Sequence, residues 1–238
     1  MYPVLKREIQ SYFLTPLGYV FMGIFLLVGG VFFMIYNLFS MSADLGDMFG
    51  NLNYLFMLIV PLLTMRLLSE ERRTKTDQLL LTSPISIGAI VTGKYFAACA
   101  VLLMTLILTA GYIVIIALFS TPYFGLIFSN YLGLFCIGGA YIAIGVLMSA
   151  LSENQLSAAV LTFGVNLLLQ LLELVGPQLS VPLLPWLPKV FSVISLHARY
   201  NAFAAGMISM ADIVYFASFI GICLFFAVRA IDRRRWSK

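Results

Sequence analysis

From Leu17 onward the chain is a succession of long apolar runs separated by short polar or proline-containing breaks. Leu17 to Phe39 carries no charge. A helix rises ~1.5 Å per residue, so a run of this length crosses the roughly 30 Å hydrocarbon core of a bilayer. Met48 to Met65 forms a second, shorter run closed by Arg66. Tyr95 to Ser152 contains no charged residue and is too long for one span. Thr121-Pro122 divides it near Tyr95 to Phe119 and Leu126 to Ala150, because proline removes a helical donor and clashes with the preceding turn. Asn154 to Leu172 and Ile213 to Val228 supply two more. The pattern predicts an all-α integral membrane protein with six transmembrane helices.

The remaining segments have patterns of their own. Leu5, Ile9, Tyr12 and Phe13 recur at helical spacing opposite Lys6, Arg7, Glu8 and Gln10. Such a stretch lies flat at the membrane surface, so residues 1–16 are expected to form an interfacial helix ended by Pro16. Lys6-Arg7 before an apolar run also resembles a signal peptide. The run exceeds an h-region and no Ala-x-Ala site follows, so it is read as a span. Residues 66–93 begin charged and become amphipathic. Residues 176–212 contain Pro177, Pro182, Pro185 and Pro188, and are expected to form short outward or re-entrant helices whose irregular backbone is buried in protein. The whole of 1–238 reads as one membrane domain.

Composition strengthens this picture. The chain is 62% hydrophobic and 10% charged, whereas soluble domains carry about 25% charge. The basic residues then set the topology. With the N-terminus in the cytoplasm, 12 of the 14 Lys and Arg residues fall on the cytoplasmic side, as the positive-inside rule requires. Only Lys189 and Arg199 face outward. Arg66, Lys94, Asp212 and Arg229 are expected at helix ends, where long side chains reach the interface. Cys99, Cys136 and Cys223 lie in apolar runs and are read as packing residues.

Candidate chemistry is sparse. Gly88 to Lys94 approaches a P-loop, but the following position is Tyr95 rather than the Ser or Thr that holds Mg²⁺. His197 is the only histidine, and no nucleophile–base or metal signature accompanies it. Charge at membrane depth, the mark of a self-energised pump or secondary transporter, is nearly absent. Thr162, Asn166, Gln170 and Glu173 are spaced 4, 4 and 3 apart, so they share one helical face. That face must meet protein or a wet path, either as interhelical glue or as a route for cargo. Gly139-x-x-x-Ala143 and Gly145-x-x-x-Ser149 permit close helix approach.

The cytoplasmic connection reads Ser69-Glu-Glu-Arg-Arg-Thr-Lys-Thr-Asp-Gln-Leu-Leu-Leu-Thr-Ser-Pro84, then Ile85-Ser-Ile-Gly88 and Gly93-Lys94. It resembles the first cytoplasmic loop of ABC type-two transporter permeases. Ser149-Ala-Leu-Ser-Glu-Asn-Gln155 resembles their second cytoplasmic turn. His197, Gly206, Asp212, Tyr215 and Phe216 resemble the stretch before their last span, and Arg229 to Trp236 their ending. The likeness covers essentially the whole chain and is greatest to the subfamily that includes the bacterial gliding-motility permease. Lys75 departs from the Gly found in many members.

The resemblance implies the membrane subunit of an ATP-binding-cassette exporter in the bacterial cytoplasmic membrane, multi-pass, with both termini cytoplasmic. It implies a dimer with an identical or different permease, each docked on a cytoplasmic ATPase that carries the ATP and Mg; no cofactor is expected in this chain. Glu70 to Leu81 would form a coupling helix. Glu71, Arg72, Arg73, Leu79, Leu80 and Leu81 would sit in an ATPase groove, with Thr76, Asp77 and Pro84 in the same segment. Glu153, Asn154 and Gln155 would make a second contact. Thr162, Asn166, Gln170 and Glu173 would line the path between subunits. Membrane lipid and an extracytoplasmic accessory protein are further expected partners; nucleic acid is not. Three rival readings are an ATPase-linked mechanotransmission or signalling module, an intramembrane enzyme using His197, and a secondary transporter.

Overall fold

The computed structural model describes residues 2–74, 86–175 and 195–236. Helix α1 is Tyr2–Leu14 and helix α2 is Pro16–Phe33, whose end widens into a π-turn at Met34–Leu38. Thr15 between them is extended, because a residue preceding proline is pushed out of the α region. Pro16 then takes the first helical position, where its missing N–H costs nothing. The two helices meet closely: a Cβ on Gly18 would stand 2.7 Å from the Tyr12 carbonyl oxygen. Any larger residue there forces α1 off its seat.

Helix α3 is Gly46–Thr64 and α4 is the short Ser69–Arg73. Helix α5 is Ile87–Phe119, α6 is Phe124–Leu151, and α7 is Gln155–Val175. Helix α8 is Leu196–Ala204 and α9 is Met210–Trp236. The described residues thus form an all-α protein. Five stretches are long and apolar enough to cross a membrane: Pro16–Leu38, Gly46–Arg73, Ile87–Phe119, Phe124–Leu151 and Met210–Arg233. The expected fifth span corresponds to a shorter apolar stretch, Gln155–Leu171. The break at Thr121-Pro122 falls between α5 and α6, as expected. Of the expected outward helices, α8 is described, and residues 176–194 lie outside the described ones.

Helix α6 is the hub, packed against α3, α5, α7, α8 and α9. Its neighbours contribute ring stacks such as Phe25 on Phe56 with centroids 5.1 Å apart. Offset aromatic pairs of this kind add about 0.5–1.5 kcal/mol beyond burial. The outer surface is as apolar as the core: Leu27, Ile107 and Val214 are 68%, 62% and 65% exposed. Water would penalise such a surface and lipid would not.

The expectation for Lys94 needs correcting, whereas Asp212 stands at a helix end as expected. Helix α5 begins two turns before the expected start at Tyr95, so Lys94 lies inside it and is 1% exposed rather than an interfacial anchor. Asp212 is also buried, 5% exposed, and its Oδ1 accepts from the Arg199 guanidinium at 2.9 Å. An apolar setting leaves each charge a partner or nothing. Both have found partners.

Candidate functional site

The basic end of the bundle is built around the turn from α3 into α4. Gly145 on α6 lets Thr64 come so close that a Cβ there would stand 2.6 Å from the Thr64 Cβ. One turn on, Ser149 Oγ accepts from the backbone amides of Leu68 and Ser69 at 3.0 and 3.1 Å. The same hydroxyl donates to the Met65 carbonyl at 3.3 Å. Three backbone groups released where α3 ends are thereby satisfied by one side chain. The Gly145-x-x-x-Ser149 pattern therefore serves as the seat of α4.

From this seat α4 projects its charges. Arg66 grips Glu70 through Nε and Nη2 at 2.6 and 3.2 Å. Arg72 donates to Glu153 at 2.5 Å and to the Leu151 carbonyl at 3.5 Å. This links the two segments expected to form one interface, although they lie 81 residues apart. Asn154 acts locally, where its Oδ1 accepts from the Ser157 amide at 2.7 Å and caps α7. Gln155 opens that helix. Arg73 is exposed. Thr76, Asp77, Leu79, Leu80 and Pro84 lie outside the described residues.

Glu71 points inward, not to an outer groove. Its Oε1 accepts from Lys94 Nζ at 2.9 Å and from Arg7 at 3.0 Å. Glu8 accepts from the same two cations, at 3.1 Å from Lys94 and 2.8 Å from Arg7. Two cations and two carboxylates thus alternate around a closed cluster joining α1, α4 and α5. Glu8, expected on the exposed face of α1, is tucked beneath it. The Glu8 hydrogen bond is the main influence raising the Arg7 guanidinium above its ordinary value, against a smaller opposing effect of burial. Beside the cluster, the Tyr12 hydroxyl donates to the Leu63 carbonyl at 2.8 Å. Burial pushes this phenol well above its ordinary range, so it remains a neutral donor.

The expected polar stripe on α7 faces the protein. Thr162 and Asn166 are both fully buried, on a helix packed against α3, α6 and α8. Thr162 donates back to the Ala158 carbonyl at 2.7 Å. Asn166 has no hydrogen-bond partner at either end of its amide among the described residues, and Gln170 Oε1 has none either. The Glu173 side chain lies outside the described ones. Asn166 is thus buried without forming a bond to a neighbouring helix among the described residues.

The other end carries residues that local spacing did not single out. Asn53 on α3 meets the His197 ring at 2.5 Å, with the Tyr54 hydroxyl 3.4 Å from its other nitrogen. His197 therefore ties α8 to α3. Asn37, Asn53 and Asn130 each keep a buried oxygen without a donor among the described residues. Asn37 and Asn130 are single amides within apolar runs, and Asn53 follows Asn51 by two residues, so no helical repeat marked any of them.

Residues 47–231 match a family described as ABC-2 family transporter protein. No curated protein matches the chain in sequence.

Proposed function

This chain belongs to the ABC-2 transporter family, and from that premise we propose that it is the permease half of an exporter driven by a separate ATPase docked at α4. Membership makes it the membrane component of an ABC transporter. The finer reading is that ATP binding on the partner displaces α4, and that this displacement opens a path along α7. The observation that carries it is the way α4 is held. It is a charged, partly exposed, five-residue helix fastened to every element a push would need to move. Ser149 connects it to α6, Glu153 to the turn before α7, and Glu71 through Lys94 to α5 and α1.

In this reading Arg73 and the residues after it contact the ATPase, while Glu70, Glu71 and Arg72 set the angle at which α4 is presented. Charge pairs of this kind fix register more than they add affinity. Glu153, paired with Arg72, and Gln155, at the start of α7, form the rim of the same surface in this reading, with Asn154 holding the α7 terminus that receives the motion. Thr162, Asn166, Gln170 and Glu173 face the path, which a second permease copy, identical or different, completes. Driving the change requires tighter partner binding to one permease state than to the other. The basic end is the cytoplasmic one, both termini lie there, and the membrane is the bacterial inner membrane. Within the family, the overall sequence pattern supports the gliding-motility subfamily.

Reconstitution tests this. Vesicles holding the chain together with its P-loop ATPase should move cargo on adding ATP, and vesicles holding the chain alone should not. Cargo movement by the chain alone would refute the reading. ATPase attachment without any cargo movement, together with capture of an extracytoplasmic accessory protein, would favour mechanotransmission.

A further inference from the structure

The last turns of α2 and α5 meet at the end of the bundle opposite Lys94, and enclose a cleft of about 420 Å³. This volume is within the range of small-molecule sites. One wall is hydrocarbon, from Ile115, Ile116 and Phe119. The other mixes Leu38, Met41 and Ala43 with the polar Asn37 and Ser42, and Ser120 closes the end of the first. The π-turn at Met34–Leu38 widens α2 at this level and carries Asn37 within it. Its Nδ2 donates to the Ser42 and Asp44 carbonyls at 3.0 and 2.7 Å. Its Oδ1 is buried and receives no hydrogen bond among the described residues, an unusual state for a native polar group.

Among the described residues the charge beside this cleft has one sign. Asp44, on the loop that Asn37 holds, and Asp47, in the first turn of α3, are both exposed. Among the described residues no Lys or Arg lines the cleft, and Arg199 is engaged with Asp212. We propose that this cleft binds an amphiphile with an amine head and a hydrocarbon body. The ammonium supplies the donor that Asn37 Oδ1 lacks and pairs with Asp44, while the chain lies along Ile115, Ile116 and Phe119. A phosphate or sulfate head meets the exposed Asp44 and Asp47 carboxylates and, among the described residues lining the cleft, no cation. An alcohol gains the hydrogen bond but not the charge. The inference rests on the membrane-spanning fold and is independent of any ATPase contact.

Photolabelling of the full chain in zwitterionic-lipid nanodiscs tests it, using dodecylamine, dodecanol and dodecyl sulfate that each carry the same terminal diazirine. The amine should label residues 38–43 and 115–120 about fivefold more than the alcohol, the factor an exposed charge pair supplies. The sulfate should label least. Asp44→Asn with Asp47→Asn should bring the amine down to the level of the alcohol and leave the alcohol unchanged. Asparagine at 44 can still accept from the Gly46 amide, which Asp44 Oδ1 now does at 2.8 Å. Ile116→Trp should fill the cleft and abolish labelling by all three. Equal labelling by amine and alcohol, or amine labelling insensitive to the two asparagines, would mean ordinary lipid contact and overturn the proposal. Should Ile116→Trp fail to fold, the charge variants decide alone.

Discussion

Lys94 and Asn166 are both polar, both buried and both set in apolar helices, yet they have met opposite fates. Lys94 has two carboxylates within 3.1 Å, and these share a second cation in Arg7. Asn166 has no partner among the described residues. A fully paired network in a low-dielectric setting is rigid, because every member loses if one leaves. An amide with no partner loses nothing when its helix shifts and can gain a bond from water or cargo. The difference separates a part of the molecule built to stay together from a part built to change surroundings. In the proposed mechanism force enters through the first and is expressed at the second.

The sharpest way to break this comparison is to strip the cluster of its central charge. Lys94→Met should leave Glu8 and Glu71 sharing Arg7 alone, and should destabilise the detergent-solubilised protein by about 3–5 kcal/mol. Thermal unfolding would read this as a large fall in Tm. Adding Glu8→Gln and Glu71→Gln should restore much of the loss. If the single substitution were silent, the cluster would not be a structural pin.

Next in size is the seat beneath α4. Gly145→Ala places a methyl against Thr64 and should cost about 1–3 kcal/mol by overpacking. ATPase coupling should fall more than stability does, because the α4 amides lose register with Ser149. Asn166→Leu should behave in the opposite sense. Removing an unpaired buried amide should leave Tm unchanged or raise it by the equivalent of about 1–3 kcal/mol, while cargo-stimulated ATP hydrolysis in proteoliposomes declines. A large loss of stability would show that Asn166 is packing glue. The smallest effect belongs to the rim. Glu153 is 80% exposed, so Glu153→Ala should cost no more than about 0.2–1 kcal/mol, and the charge swap Arg72→Glu with Glu153→Arg should recover it.

The apolar lengths and the prolines made the spans legible. Pro16 and Thr121-Pro122 end elements because proline's geometry acts locally. The stripe on α7 was legible because Thr162 and Asn166 repeat at the helical period. Lys94 was misplaced because it stands at the edge of an uncharged run, the ordinary position of an interfacial lysine. Its partners lie 86 and 23 residues away, and no local pattern pairs residues over such separations. Glu71 was drawn toward an outer groove for the same reason: a run of alternating charge looks solvated until the fold supplies its counter-ions. Asn37 and Asn130 stand singly in apolar sequence, and Asn53 lies two residues from Asn51, off the helical repeat, so periodicity has nothing to show.

The central claim is that α4 receives the ATPase. Arg73→Cys places an exposed thiol on that helix, and Asp47→Cys places one at the far end of the bundle. In membranes containing both subunits, a bifunctional thiol–amine cross-linker should join the ATPase to the first variant and not to the second. Cross-links from position 47, or none from position 73 while the ATPase still co-purifies, would contradict the account.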